Sequence, residues 1–199
     1  MIKQFDGGLL DSNTYLYVTD SGHAMIVDCG VEAGEIISYI KENKIIVDYI
    51  ALTHGHYDHI DYVEEYASAF KDAKIICAKE ELKVIGDPEA NLSVFFGKRK
   101  KYECDYIPLG EQDKVSLPKN DGTSVDFSVI ISPGHTPGCM CLYAKEEGIM
   151  FTGDVLFANG YGRVDLKYAS PSDMASSLRR LYTYEGVRIY PGHGGSAVI

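Results

Sequence analysis

No stretch of this chain approaches the roughly 20 consecutive apolar residues that carry a helix across a bilayer, so no membrane-spanning helix is expected. The opening residues, MIKQFDGGLL, lack the longer apolar run of a secretory signal, and a cytoplasmic protein is expected. Basic residues are scarce: 19 Lys and Arg stand against 29 Asp and Glu, a formal net charge of −10. Affinity for nucleic acid rests on phosphate neutralisation by Lys and Arg, and this balance argues against such a partner. CxxC pairs are absent. The five cysteines, Cys29, Cys77, Cys104, Cys139 and Cys141, are odd in number and scattered, which fits free thiols in a reducing compartment. Repeats, low-complexity tracts and linkers are missing as well. Residues 1–199 therefore read as a single domain, long enough to bury a real core.

What is present is apolar patterning of two kinds. TYLYV (14–18) and AMIVD (24–28) read as strands joined across the turn signal DSGH. Ile36, Ile37 and Ile40 share one face of a short helix. IIVDYIALT (45–53) is a nearly continuous apolar run, the pattern of a strand buried on both faces. Ile60, Val63, Ala67 and Phe70 then recur at helical spacing. In the second half VDFSVIIS (125–132) is a strand, GCMCLYA and GIMFTGD form a hairpin across KEEG, and VRIY is a last short strand. Between them residues 171–184 read as a helix with Met174, Leu178, Leu181 and Tyr182 on one side. Two β-rich halves, each carrying helices, predict two sheets packed face to face with helices outside. Cys139 and Cys141 alternate on the hairpin and share a face as small buried hydrophobes. Residues 87–106 have no clear periodicity and hold FFGKRKK (95–101), the one dense basic run. It suits a solvated charge run or a substrate-facing loop.

Three of the six histidines and two aspartates fall in THGHYDHID, residues 53–61. A core buries that many polar groups only when each has a partner, and a solvated loop has no need of them. A metal site meets both conditions. The cluster lies beyond the carboxyl end of the long apolar strand, where open α/β sheets place ligands. In an extended loop, side chains at i, i+2 and i+4 share a side, so His54, His56 and Asp58 converge while His59 points elsewhere as the chain turns into the helix. That arrangement can feed two neighbouring ions, His54 and His56 to one, Asp58 and His59 to the other. Neutral imidazole and carboxylate suit zinc, iron and manganese. Two ions need more ligands than these. His135 in SPGHTPG and His193 in YPGHGG each follow a strand, flanked by Gly that lets the chain bend and Pro that stiffens it. Asp154 in FTGDVLF also ends a strand, and a carboxylate has two oxygens with which to bridge two cations. One strand-end His is more often structural; ligand-type residues at four strand ends are not explained that way. His23, in the hairpin turn, reads as a surface residue.

In these residues the chain resembles the metallo-β-lactamase fold hydrolases. The pattern is a strand-end Asp (Asp28 in IVDCG), then HxHxDH (His54, His56, Asp58, His59), then His135, Asp154 and His193 at later strand ends, from about residue 13 to 194. GDVLFANGYGRVDL (153–166) and SPGHTPG look most like the glyoxalase II-like branch, the hydroxyacylglutathione hydrolase-like enzymes. The resemblance implies an α/β fold, a four-layer αββα sandwich with the metal site at one edge of the two sheets. It implies that His54, His56 and His135 hold a first divalent ion, that Asp58, His59 and His193 hold a second, and that Asp154 bridges. Asp28 would orient the ligand loops. Zinc is the expected metal, with iron or manganese as alternatives. Dizinc β-lactamases of the common type carry Cys where Asp154 stands, so antibiotic hydrolysis is not expected.

The expected activity is hydrolysis of a small thioester or ester. The nucleophile would be a hydroxide bridging ions about 3.5–4 Å apart, with Asp58 and Asp154 as catalytic carboxylates that position it and pass a proton. Arg163 offers itself either as an anchor for an anionic group or as the partner of Asp165. The alternative is a mononuclear iron persulfide dioxygenase of the same fold, using two His and one carboxylate. A non-catalytic metal-stabilised domain ranks last, because structural zinc sites are closed and Cys-rich. Two departures from the branch stand out. Only residues 194–199 follow His193, so the helical segment that grips glutathione in glyoxalase II is not expected here. Cys139 replaces a Ser after HTPG, which reads as a packing difference.

Overall fold

A computed structural model describes residues Met1–Ile199. The first sheet holds β1 (Ile2–Phe5), β2 (Thr14–Val18), β3 (His23–Val27), β4 (Ile46–Leu52), β5 (Lys74–Ala78) and β6 (Tyr106–Leu109), side by side in that order. The second holds β7 (Lys114–Pro118), β8 (Ser124–Ile131), β9 (Met140–Ala144), β10 (Ile149–Gly153), β11 (Arg188–Pro191) and the two-residue β12 (Ala197–Val198), again in sequential order. Both sheets mix parallel and antiparallel pairs: β3, β4, β5 and β6 run parallel, and so do β10 and β11.

Strand periodicity explains the four layers. Successive side chains on a strand point to opposite faces. Tyr15, Tyr17, Met25, Val27 and Ala51 meet Phe127, Val129, Leu142 and Phe151 in the core between the sheets. The intervening Leu16, Ala24, Ile26, Ile50 and Leu52 face outward onto Ile36 and Ile40 of α1 (Ala33–Glu42) and Val63 and Tyr66 of α3 (Val63–Ala69). On the second sheet Ile130, Cys141 and Met150 face outward onto Met174 and Leu181 of α5 (Pro171–Leu181). Each sheet is thus covered on both faces, and for that reason its central strands read as apolar runs rather than as alternations. Cys139 and Cys141 lie in the outer layer of the second sheet as free buried thiols. No helix is long and apolar enough to cross a membrane.

Several local expectations need correction. The helix expected to begin at Ile60 is two pieces, α2 (Tyr57–Ile60) and α3, interrupted where the Tyr62 amide donates to the Cys29 carbonyl instead of continuing the helix. α5 ends at Leu181, so Tyr182 is exposed rather than packed. Ile46 is exposed, so β4 is buried on both faces only toward its carboxyl end. Strands β1, β5, β6, β7 and β12 were not among those expected. Of these β1, β6, β7 and β12 lie at sheet edges, where strands are short and where β6 and β7 tolerate Pro108 and Pro118. His23 is half-buried and paired with Asp48 at 2.8 Å.

Candidate metal centre

Five strands end at one edge of the sandwich and carry the site there. Asp28 follows β3, the histidine cluster follows β4, His135 follows β8, Asp154 follows β10, and His193 follows β11. After β4 the chain leaves the strand at Thr53, is extended at His56 and turns helical at Tyr57. That turn divides the cluster. His54, His56 and His135 bring ligand atoms within 4.8 Å of one another, and so do Asp58, His59 and His193. Asp58 therefore leaves the extended run and joins His59. Asp154 reaches both trios: its Oδ2 lies 3.5 Å from His135 Nε2 and 3.4 Å from His193 Nε2, and its Oδ1 lies 3.4 Å from His59 Nε2.

Hydrogen bonds fix the rings. Asp28, in the left-handed region at φ 60°, accepts the Thr53 amide, the Thr53 hydroxyl and His59 Nδ1 at 2.8, 2.8 and 3.0 Å. The Thr53 hydroxyl donates to Asp28, so it accepts from His54 Nδ1 at 3.2 Å. His135 Nδ1 donates to the Arg163 carbonyl at 2.8 Å. In His54, His59 and His135 the anchored nitrogen is Nδ1, and Nε2 is left to face the centre. His54, Asp28 and His59 also form a third close group, but the oxygens of Asp28 already have donors. Gly192 permits the close approach of β11's loop: a Cβ there would overlap Asp154 Oδ1 and lie 2.7 Å from His59 Cε1. The loop itself hangs from Asn13, whose Nδ2 donates to the carbonyls of Pro191 and Gly194, and from the Tyr15 hydroxyl, which donates to Pro191.

The donor set fits divalent cations. His54 Nε2, His56 Nε2 and Asp154 Oδ1 are buried without a hydrogen-bond partner. An unmatched buried polar group costs about 1–3 kcal/mol; the unmatched His54 Nε2 and Asp154 Oδ1, with His56 Nδ1 and His135 Nε2 brought to 2.8 Å of each other, mark a place for a cation. Burial, reinforced by the neighbouring imidazoles, holds His54 well below the usual histidine range and takes His56 down to about 3. Those two rings are neutral and ready to ligate. Burial also opposes charge on His59, but Asp58, Asp154 and Asp28 outweigh it and raise its pKa to about 9. His193 rises to about 10 because hydrogen bonds to Asp154 and Asp58 outweigh burial. Burial raises the two carboxylates in turn, yet His59 and His193 pull Asp58 below its usual value and Asp154 well below.

A pH dependence follows for protein stripped by a chelator. His59 and His193 both titrate above the reference 6.5 when folded. Their contribution to stability is fully present below that value and lost as pH climbs through about 9 and 10. The depressed carboxylates lose theirs only in acid. Stripped protein should therefore melt at lower temperature from about pH 7 to 10, and metal-loaded protein should not, since an ion replaces those protons. Melting curves across that range, with and without chelator, check this; a flat alkaline profile for the stripped protein refutes it.

Other expected residues fall outside this cluster. Arg163 makes a bidentate pair with Asp165, both Nε and an Nη at 2.9 Å, and its carbonyl, not its charge, serves the site. In FFGKRKK, Lys98 pairs with Asp61 at 3.6 Å and Lys100 with Glu64 at 3.0 Å, while Phe96 stacks on Tyr57. These three side chains lie against the helices beside the site, while Phe95 of the same run stays exposed. Sequence reasoning did not reach Thr53, Asn13, Tyr15 or Glu81. The first three carry no local signal. Glu81 does carry one: it occupies the buried position i of an i, i+3, i+4 set with Val84 and Ile85 of α4 (Leu82–Ile85), where an apolar residue is the norm.

Comparison with known proteins agrees with this architecture. Residues 7–193 match the Metallo-beta-lactamase superfamily. The hydroxyacylglutathione hydrolase GloC of Haemophilus influenzae is 32% identical over 199 residues, spanning 94% of this chain and 87% of GloC. Among solved structures, the BLEG-1 B3 metallo-beta-lactamase superposes with a TM-score of 0.87 at 29% identity, covering 100% of this chain and 94% of that one. TTHA1623 in a di-iron-bound form gives 0.85 at 28% identity, covering 98% and 94%. With a match running over nearly its whole length, the chain belongs to the metallo-beta-lactamase superfamily.

Proposed function

We propose that the chain is a dinuclear metal-dependent hydrolase of small thioesters or esters, with His54, His56 and His135 holding one ion, Asp58, His59 and His193 the other, and Asp154 shared. The observation that carries this reading is the position of Asp154, within 3.5 Å of imidazoles from both trios and with one buried oxygen unpartnered. Two bound divalent ions would supply Lewis-acid polarisation of a carbonyl and an acidified water. The chain's own residues do the rest. Asp58 lies at the more open side of the cluster, with 11% of its side chain exposed, beside the partly exposed His193. Its carboxylate is placed to accept a proton from the attacking water as the new C–O bond forms. It then returns that proton to the sulfur or oxygen that departs as the acyl bond breaks. Asp28 and the Arg163 carbonyl keep the ring tautomers constant through the cycle.

Similarity to GloC supports a thioester. Similarity to a B3 metallo-beta-lactamase makes a β-lactam the rival substrate, and the di-iron-bound neighbour makes iron the rival to zinc. The second trio favours a two-ion site over a mononuclear iron dioxygenase, which needs only one face of three ligands. The test joins metal analysis of protein purified without added metal to turnover of S-lactoylglutathione, a neutral thioester, a simple ester and a β-lactam. Close to two ions per chain and chelator-sensitive thioester or ester hydrolysis are expected. One iron per chain with oxygen consumption on a persulfide, or turnover of the β-lactam alone, overturns the reading.

A further inference from the structure

Glu81 is a fully buried carboxylate that takes no part in the chemistry above. It ends the 3-10 turn Lys79–Glu81 that links β5 to α4, and its two oxygens bind different loops. Oε2 accepts the backbone amide of Gly55 at 2.7 Å. Oε1 accepts the Thr136 hydroxyl at 2.6 Å and the Gly138 amide at 2.7 Å. Gly55 lies between His54 and His56, and Thr136 follows His135. The two loops that supply the first trio come from different sheets and are separated by about eighty residues, and both hang from one carboxylate. Gly138 is matched to it: a Cβ there would come within 2.7 Å of the Glu81 amide nitrogen. One backbone bond, Met140 N to Thr53 O at 2.9 Å, joins the same loops farther back. The second trio is held by other groups. Asp28 anchors His59, the Ser12 hydroxyl donates to the Asp58 carbonyl, and Asn13 and Tyr15 hold the His193 loop.

We propose that Glu81 is a positioning residue for the first trio: its carboxylate sets the spacing between the His54–His56 loop and the His135 loop, and with it the ion affinity of that trio alone. The inference rests on the two-ion reading for its selectivity. The chemistry demands a carboxylate. Two of the three donors facing Glu81, the Gly55 and Gly138 amides, are backbone N–H groups that cannot accept, so the contact on each side needs an oxygen lone pair. An amide at this position turns its NH2 toward a backbone N–H on one side or the other, and breaks one half of the clamp whichever way it is placed.

The test is Co(II) titration of chelator-stripped protein, followed by visible absorption, with melting curves of the same stripped samples. Wild type, Glu81→Gln and Thr136→Val are compared, and His193→Ala assigns the steps, because its intact trio is the first. Loss of a group that orients ligands typically weakens metal binding about 10–100-fold. That loss is expected for the first-trio step in Glu81→Gln, with a smaller loss in Thr136→Val and the other step unchanged. Equal weakening of both steps shows that Glu81 serves only general stability and overturns the proposal, as does no weakening of either. Should Glu81→Gln fail to fold, Thr136→Val decides, since it removes one of the three donors at nearly constant shape. A wild type with a single step refutes the two-ion reading separately, and the clamp then stands or falls on whether that step weakens in the variants. No substrate enters the measurement, so a wrong substrate class does not affect it.

Discussion

Asp154→Ala is expected to leave no measurable hydrolysis and to draw metal from both trios. Of the carboxylates, only this one lies within 3.5 Å of imidazoles on both sides, at His135, His59 and His193. On the two-ion reading, its removal would delete a ligand from each half at once and take away the charge that lowers the energy of cations there. Loss of one preorganised electrostatic group in an active site typically costs about 10²–10³ in rate, and a group serving two ions should exceed that. His193→Ala is the contrast, because it touches only the second trio and should leave the first ion in place. Asp154→Asn keeps the shape and removes the charge, so it separates geometry from electrostatics. Metal content by elemental analysis, read beside turnover of a thioester, gives the answer. Full occupancy of both positions in Asp154→Ala, with activity retained, contradicts the shared role.

Gly192→Ala should damage the centre nearly as badly, although it removes no ligand. The added Cβ would land on Asp154 Oδ1 and come within 2.7 Å of His59 Cε1. The loop has little freedom to retreat, because the Gly192 amide donates to the Gly153 carbonyl and the Gly192 carbonyl accepts the Asn13 amide, each at 2.8 Å. The carboxylate must therefore swing away from the position it shares between the trios. Overpacking of this kind costs about 1–3 kcal/mol of stability, which a domain of this size should survive. The expected result is a folded protein with the second ion weakened and the rate down by about 10²-fold or more, the scale of a lost electrostatic group. Gly195→Ala is the control, since a Cβ at that glycine meets no atom within 4 Å. If Gly192→Ala matches the control in metal content and rate, the placement of Asp154 is not critical.

The residues at the centre were legible in the sequence because each follows a strand that announces itself. An apolar run buried on both faces ends at His54, and the turns around His135, Asp154 and His193 carry the Gly and Pro that bend and stiffen a chain. Layer order was legible for the same reason: Leu16 and Tyr17, or Ile50 and Ala51, are neighbours in sequence and face different cores. The edge strands were less legible, being short, partly exposed and interrupted by Pro108 and Pro118.

Sequence by itself determined the fold class, the strand ends and the types of side chain they carry, because periodicity and turn chemistry act over a few residues. Tertiary structure alone decided the rest. Helix onset at Tyr57 took Asp58 off the face that i, i+2, i+4 spacing would give it beside His54 and His56, while its pairing with His59 is the one the sequence already implies. Lys98 and Lys100, in the run that suited either a solvated charge run or a substrate-facing loop, pair with Asp61 and Glu64, and of the two roles open to Arg163 the structure shows the pair with Asp165. Asn13 meets Pro191 across 178 positions, and Glu81 meets Gly138 across 57. Pairings of that kind leave no local trace. A buried donor or acceptor takes whichever partner the packed sheets bring within about 3 Å, and that partner is fixed by the sandwich as a whole rather than by its neighbours in the chain.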